Sequence, residues 1–110
     1  MFEYQAKVVS VYDGDTITVD IDLGLKTWIR GEKIRIFGIN APEVKGPQRV
    51  AGLASRDFLR SKLPEGKLVT INTIKDKQGK YGRYLARVDV DGVDVATLLV
   101  AEGHAQIHDY

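Results

Sequence analysis

The stretch from Lys33 to Glu43, Lys-Ile-Arg-Ile-Phe-Gly-Ile-Asn-Ala-Pro-Glu, restricts the fold more than any other in the chain. Ile34, Ile36, Phe37 and Ile39 form an almost unbroken run of β-branched and aromatic side chains, the pattern of a strand covered on both faces. Pro42 fixes its own φ, offers no ladder donor and holds Ala41 extended, so the strand must stop and turn there. Arg35 lies within the run, and Asn40 and Glu43 lie at its end. A guanidinium, an amide oxygen and a carboxylate are therefore expected on a rigid element beside a pinned turn, which is how an active site is held in place.

The 110 residues make one domain, 1–110, large enough to bury its own core without metal or disulfide staples. The absence of cysteine excludes a disulfide framework, thiolate metal sites and a cysteine nucleophile, and is compatible with either redox compartment. The net charge of +1 conceals a pattern: acids crowd between Asp13 and Asp22, bases between Lys75 and Arg87. Local fields therefore matter more than the total. No apolar run approaches a membrane span, and Met1-Phe2-Glu3-Tyr4 lacks the basic start and apolar segment of a signal peptide. No membrane partner is expected, and the sequence assigns no compartment.

From the start, Tyr4 to Val11 alternates loosely and meets a turn signal at Asp13-Gly14, followed by clean period-two alternation over Thr16 to Ile21, so a hairpin is expected. Leu23-Gly24-Leu25 and Arg30-Gly31-Glu32 punctuate the path to the central strand, with Trp28 and Ile29 as a strand extension; one long hairpin and two short turns fit equally. Pro47 reads as the first turn of an amphipathic helix with Val50, Leu53, Ala54 and Phe58 on its apolar stripe, ended by Pro64-Glu65-Gly66. Leu68 to Ile74 is strand-like, Lys75 to Gly82 a basic loop, and Leu85 to Val90 another strand. Asp91-Gly92 turns the chain, Asp94 caps a short helix over Val95 to Glu102, and Gly103 closes it. The tail from His104 adds a short strand or frays.

Three strands, a helix, two strands and a helix, all short and rich in turns, fit a closed or nearly closed five-stranded β-barrel with helices on it, of α+β class. An oligonucleotide-binding (OB) barrel is the natural candidate.

Three groups of polar residues then carry chemistry. Asp15 and Asn40 each bring one oxygen to a strand end, and the Ala41 carbonyl offers another, a set that suits a hard cation such as calcium. Arg35 and Arg83 present planar, permanently charged forks that match a phosphate and the extra charge of five-coordinate phosphorus. Glu43 can take or orient the proton of a water, and Lys80 and Tyr81 suit a terminal phosphate and a base. Taken one at a time, these residues also read as turn formers, solvated arginines and packing groups. His104 and His108 are expected at the surface.

Asp13-Gly14-Asp15-Thr16, then Arg35-Ile-Phe-Gly-Ile-Asn-Ala-Pro-Glu43, then Lys80-Tyr81-Gly82-Arg83 resemble, in order, the three motifs of the staphylococcal nuclease (thermonuclease-like) family. The resemblance implies an OB-fold barrel with a calcium-dependent site that hydrolyses phosphodiesters of DNA and RNA. A monomer is expected, with cleavage favoured in single-stranded or open regions because stacked, paired bases shield the scissile bond. It assigns calcium to Asp15, Asn40 and the Ala41 carbonyl. It gives Glu43 the role of general base or positioner of the attacking water, and makes Arg35 and Arg83 the catalytic arginines that bind the phosphate and stabilise the transition state. Lys80 and Tyr81 hold the terminal nucleotide, and the 5′ oxygen leaves, giving 3′-phosphate ends.

The chain departs from that pattern in three places. Asn40 stands where well-known members carry aspartate, which removes a formal charge worth roughly a few kcal/mol beside a cation, with Asp13 the nearest compensating acid. The hairpin between Thr16 and Lys33 is long, and the C-terminal helix has no counterpart, so Tyr110 is the candidate aromatic partner for a base. The alternative is a weakly active or inactive nuclease-fold module that binds nucleic acid or a protein. Retention of Arg35, Glu43 and Arg83 favours the enzyme; Asn40 favours the binder.

Overall fold

The computed structural model describes residues 2–78 and 83–109. Its strands are β1 (Phe2–Asp13), β2 (Thr16–Asp22), β3 (Trp28–Ile36), β4 (Ile39–Asn40), β5 (Leu68–Gln78), β6 (Tyr84–Val90), β7 (Val93–Asp94) and β8 (Gln106–Ile107), with helices α1 (Arg49–Lys62) and α2 (Val95–Ala101). β1, β2, β3, β6 and β5 pair in that order, and β5 pairs back to β1. The result is the closed five-stranded barrel with two helices expected of an OB-like domain. All its seams are antiparallel except β3 with β6, which is parallel and matches Arg35 to Leu85.

Alternation in β2 places Ile17, Val19 and Ile21 inside, where they meet Ile34, Ile36, Ile71 and Val88 from the neighbouring strands. Leu59 of α1, Leu63 at its C-terminal cap, and Val95 and Leu99 of α2 enter the same core, each at most 1% exposed. Burying a side chain of this size fully contributes about 1.5–3 kcal/mol. Asp94 caps α2 as its sequence predicts, its carboxylate accepting the Ala96 amide at 3.0 Å. No helix among the described residues is long and apolar enough to cross a membrane.

Several local expectations change. The central strand does not continue through Ile39: it ends at Ile36, and the chain turns at Phe37–Gly38, where Gly38 has φ +88°. Ile39 is still buried, because β4 pairs with β8 of the tail and forms a second, two-stranded sheet. Continuous hydrophobicity therefore marks two buried elements and the turn between them. The β2–β3 hairpin turns once, at Leu23 to Thr27, and Arg30-Gly31 is a bulge opposite Asp20, whose carboxylate accepts from Gly31 N at 2.9 Å and Arg30 Nη1 at 3.0 Å. Pro47 sits in a separate 3₁₀ turn, Gly46–Gln48, ahead of α1. Residues 75–78 extend β5 where a loop was expected.

The buried face of α1 also differs from the apolar stripe. Gly52, Ser55 and Leu59 point inward, whereas Val50 is 83% exposed. Gly52 and Ser55 face inward where the helix lies against the Glu43 and Gly14 turns, while Phe58 of the stripe still packs on the core.

Candidate active-site cleft

One open cleft, of about 1320 Å³, runs between the β1–β2 turn, the end of β3, the Asn40–Gln48 segment and α1. Asp15, Arg35, Asn40, Ala41, Glu43 and Arg83 all line it. These residues come from three separate parts of the sequence.

On the barrel side they form one hydrogen-bonded chain. Arg83 Nη1 donates to Thr16 Oγ1 at 3.1 Å, and the Thr16 hydroxyl donates to Asp15 Oδ1 at 3.2 Å. Asp15 Oδ2 accepts the Ala41 amide at 2.9 Å and lies 3.5 Å from Arg35 Nη2. Arg35 in turn donates to the Ile36 carbonyl at 2.8 Å and to Asn40 Oδ1. Because a guanidinium can only donate, it fixes the Asn40 oxygen on its own side. The amide nitrogen then faces His108 Nδ1 at 3.1 Å. His108 thus contacts a residue of the site, and His104 stacks on Phe58 with ring centroids 4.8 Å apart, while both rings stay partly exposed at the surface.

The β1–β2 turn is held from within. Asp13 Oδ1 accepts the Asp15 amide at 3.0 Å. Both carboxylates are buried, Asp13 being 8% exposed and Asp15 7%. Burial, helped by the charge of Asp15, pushes the Asp13 carboxyl up to about 6.

The other wall is built by shape. Glu43 is exposed, and its amide donates to Gln48 Oε1 at 3.4 Å. Behind it, a Cβ added to Gly52 would fall 2.0 Å from the Glu43 carbonyl oxygen, so only glycine lets α1 approach this backbone so closely. Gly14 permits a similar approach across the cleft floor, where a Cβ would lie 2.0 Å from Ser55 Oγ and 2.7 Å from the Ala41 Cβ. Ser55 itself is fully buried and donates to the His104 carbonyl at 2.8 Å. Thus α1 fixes the turn that carries Glu43 and the turn that carries Asp15 at once.

The donor chemistry fits a hard divalent cation. Asp15 Oδ2 and Asn40 Oδ1 converge on a single cationic atom, Arg35 Nη2, which shows that the two oxygens can share one positive centre. Oxygen donors of this kind suit calcium better than a softer metal. Among the described residues no three His, Asp or Glu side chains gather as a metal cage, so the set would be mixed, with a carboxylate, an amide oxygen and backbone. The contact Ala41 makes is through its amide, to the Asp15 carboxylate.

Lys80 and Tyr81, assigned to a nucleotide from the sequence, lie outside the described residues, as does Tyr110. Sequence reasoning missed Gly52 and His108. The first had a signal, a glycine within a helical pattern, but the second had none locally, since His108 meets Asn40 across 68 residues.

Comparison with known proteins agrees with the architecture. Residues 33–110 match the family described as staphylococcal nuclease homologue. The thermonuclease of Staphylococcus hyicus is 32% identical over 111 residues, covering 98% of this chain and 62% of its own length. Endonuclease YhcR of Bacillus subtilis is 33% identical over 113 residues, 94% of this chain but 9% of the relative. An uncharacterized protein of Bacillus anthracis is 32% identical over 109 residues, 94% of this chain and 47% of that protein. The chain thus spans less than two thirds of the length of each of these relatives.

Proposed function

This chain belongs to the staphylococcal nuclease family, and on that footing we propose that it is a calcium-dependent phosphodiesterase that hydrolyses DNA and RNA, favouring single-stranded or open regions and acting as a monomer. What supports this reading above all is that Asp15, Arg35, Asn40, Ala41, Glu43 and Arg83 line one cleft.

In this reading Arg35 and Arg83 grip the scissile phosphate. Arg35 uses one donor on the Ile36 carbonyl and one on Asn40, which leaves N–H groups of its five for phosphate oxygens. As phosphorus becomes five-coordinate, its equatorial oxygens gain charge, and two fixed guanidiniums stabilise that charge more than the ground state. Glu43, exposed to the cleft, orients a water and accepts its proton as the water oxygen bonds to phosphorus. The bond from phosphorus to the 5′ oxygen breaks, that oxygen takes up a proton, and a 3′-phosphate remains. Asp15, Asn40 and the Ala41 carbonyl would hold calcium. When bound, the ion supplies Lewis-acid stabilisation of the phosphate charge. Lys80 and Tyr81 are assigned to the terminal nucleotide.

The test is hydrolysis of single-stranded DNA with calcium, with EDTA, and by Glu43→Gln and Arg83→Ala protein. Cutting by the wild type should require calcium, fall by about 10²–10⁴-fold with Glu43→Gln and by about 10²–10³-fold with Arg83→Ala. Equal cutting by all three proteins would identify a contaminant. No cutting up to millimolar calcium would favour the binding module.

A further inference from the structure

The cleft extends well beyond the six residues just described. Among the described residues that line it, seven are lysine or arginine against three acids. The acids are Asp13, Asp15 and Glu43. Lys33, Arg35 and Arg83 stand on the barrel side, while Lys45, Arg49, Arg56 and Arg60 stand on the helix side. One phosphate needs only the Arg35 and Arg83 pair, so the second basic group has no part in that chemistry. At about 1320 Å³ the cleft also exceeds the roughly 300–1,000 Å³ typical of small-ligand pockets.

At the helix end the backbone presents an aromatic ring. Val11 pairs with Ile17 and Asp13 with Thr16, so Tyr12 is the extra residue of a β-bulge. Bulges re-aim side chains, often beside active sites. Tyr12 is 56% exposed although Val11 and Asp13 on either side are buried, and no described residue engages its ring or hydroxyl. Its position is nonetheless fixed, because Arg60 donates through Nε and Nη2 to the Val11 carbonyl at 3.3 and 3.0 Å. Arg56 is paired with Asp57 at 2.9 Å, an exposed pair of a kind that exchanges readily for a stronger anion.

We infer that Tyr12 and the helix-side arginines, Arg49 and Arg56 above all, form a second nucleotide subsite, Tyr12 stacking on an unpaired base and the arginines binding phosphates away from the one that is cut. The occupant is a single strand, since a ring stacks only on a base that has left its duplex partner. This deepens the nuclease reading and rests on it for the direction of the strand. The stacking itself requires no cleavage.

The experiment therefore measures binding in EDTA, by fluorescence anisotropy with a single-stranded oligothymidylate of about a dozen nucleotides, a length within known single-strand footprints. Tyr12→Ala should weaken binding by about 5–100-fold, whereas Tyr12→Phe, which keeps the ring, should stay within about twofold of the wild type. Arg49→Ala with Arg56→Ala should reduce the slope of log affinity against log salt by about 0.7 for each phosphate that is no longer neutralised. The Tyr12→Ala penalty should shrink on a dinucleotide and on a blunt duplex. Binding by Tyr12→Ala equal to the wild type overturns the subsite, as does a loss that Tyr12→Phe shares, or one equally large on the dinucleotide or duplex. Circular dichroism checks that the variants fold. Absence of cutting would remove the nuclease reading while these binding results still decided the subsite.

Discussion

The two walls of the cleft are held by different physics. On the barrel wall, Arg83, Thr16, Asp15, Arg35, Asn40 and His108 are linked by successive polar contacts, so each side chain is oriented by its neighbours. On the helix wall, Glu43 is positioned through its backbone, which lies against Gly52 with no room for a methyl group. The polar wall is specified atom by atom, but it depends on charge and therefore on pH and ions. The packed wall is insensitive to both but intolerant of added volume. Substitutions should separate the two.

The largest effect is expected at Gly52. Gly52→Ala places a carbon where the Glu43 carbonyl now lies, and the turn must yield. A displacement near 1 Å of a catalytic group can cost about 10²-fold in rate. The prediction is therefore a loss of about 10²-fold in kcat on single-stranded DNA, with KM little changed and the pH profile retained. A fall in KM-linked binding with kcat preserved would show that Glu43 is held by something else.

The barrel wall should respond to pH instead. The carboxyl of Asp13 is raised to about 6 in the folded state, from 3.8. The folded state therefore favours the protonated form: the associated stabilisation is fully present below about pH 4 and is lost as pH rises through 6. Asp13→Asn keeps an oxygen for the Asp15 amide and never ionises. In EDTA the variant should gain on the wild type between pH 4 and pH 7 by up to about 3 kcal/mol, read from urea unfolding. A gap between the two proteins that is constant with pH would mean that Asp13 is ionised without penalty.

The smallest effect concerns Asn40. Restoring a carboxylate by Asn40→Asp adds a full charge beside Asp15 and should lower the calcium concentration for half-maximal cutting by about 10-fold, equivalent to about 1.4 kcal/mol. Unchanged calcium dependence would place the ion away from this residue.

Much of this arrangement is legible in the sequence because it is local. Period-two alternation in Thr16 to Ile21 gives a real strand, Asp13-Gly14 gives a real turn, and Asp94 is a real cap. The three motifs in order hold all six of these cleft residues, although the strand that carries Arg35 ends at Ile36, well before Pro42. The features that the sequence hides depend on contacts between distant residues. The run through Ile39 resembles one strand because burial in a second sheet and burial in the barrel demand the same residue types. The inward face of α1 is hidden because a helix lying on backbone needs glycine and serine there, while hydrophobic periodicity points to Val50. No feature around His108 announces Asn40.

The parallel seam between β3 and β6 has one further effect. It closes the barrel through Ile34 with Tyr84, Arg35 with Leu85 and Ile36 with Ala86, and Arg83 immediately precedes the first of these rungs. The two guanidinium-bearing backbones are thus held on neighbouring strands about 4.8 Å apart laterally, and offset by two residues along them. The seam works as a caliper: the chain cannot widen its grip on an anion without opening the cylinder, so architecture and anion selectivity must be gained or forfeited together.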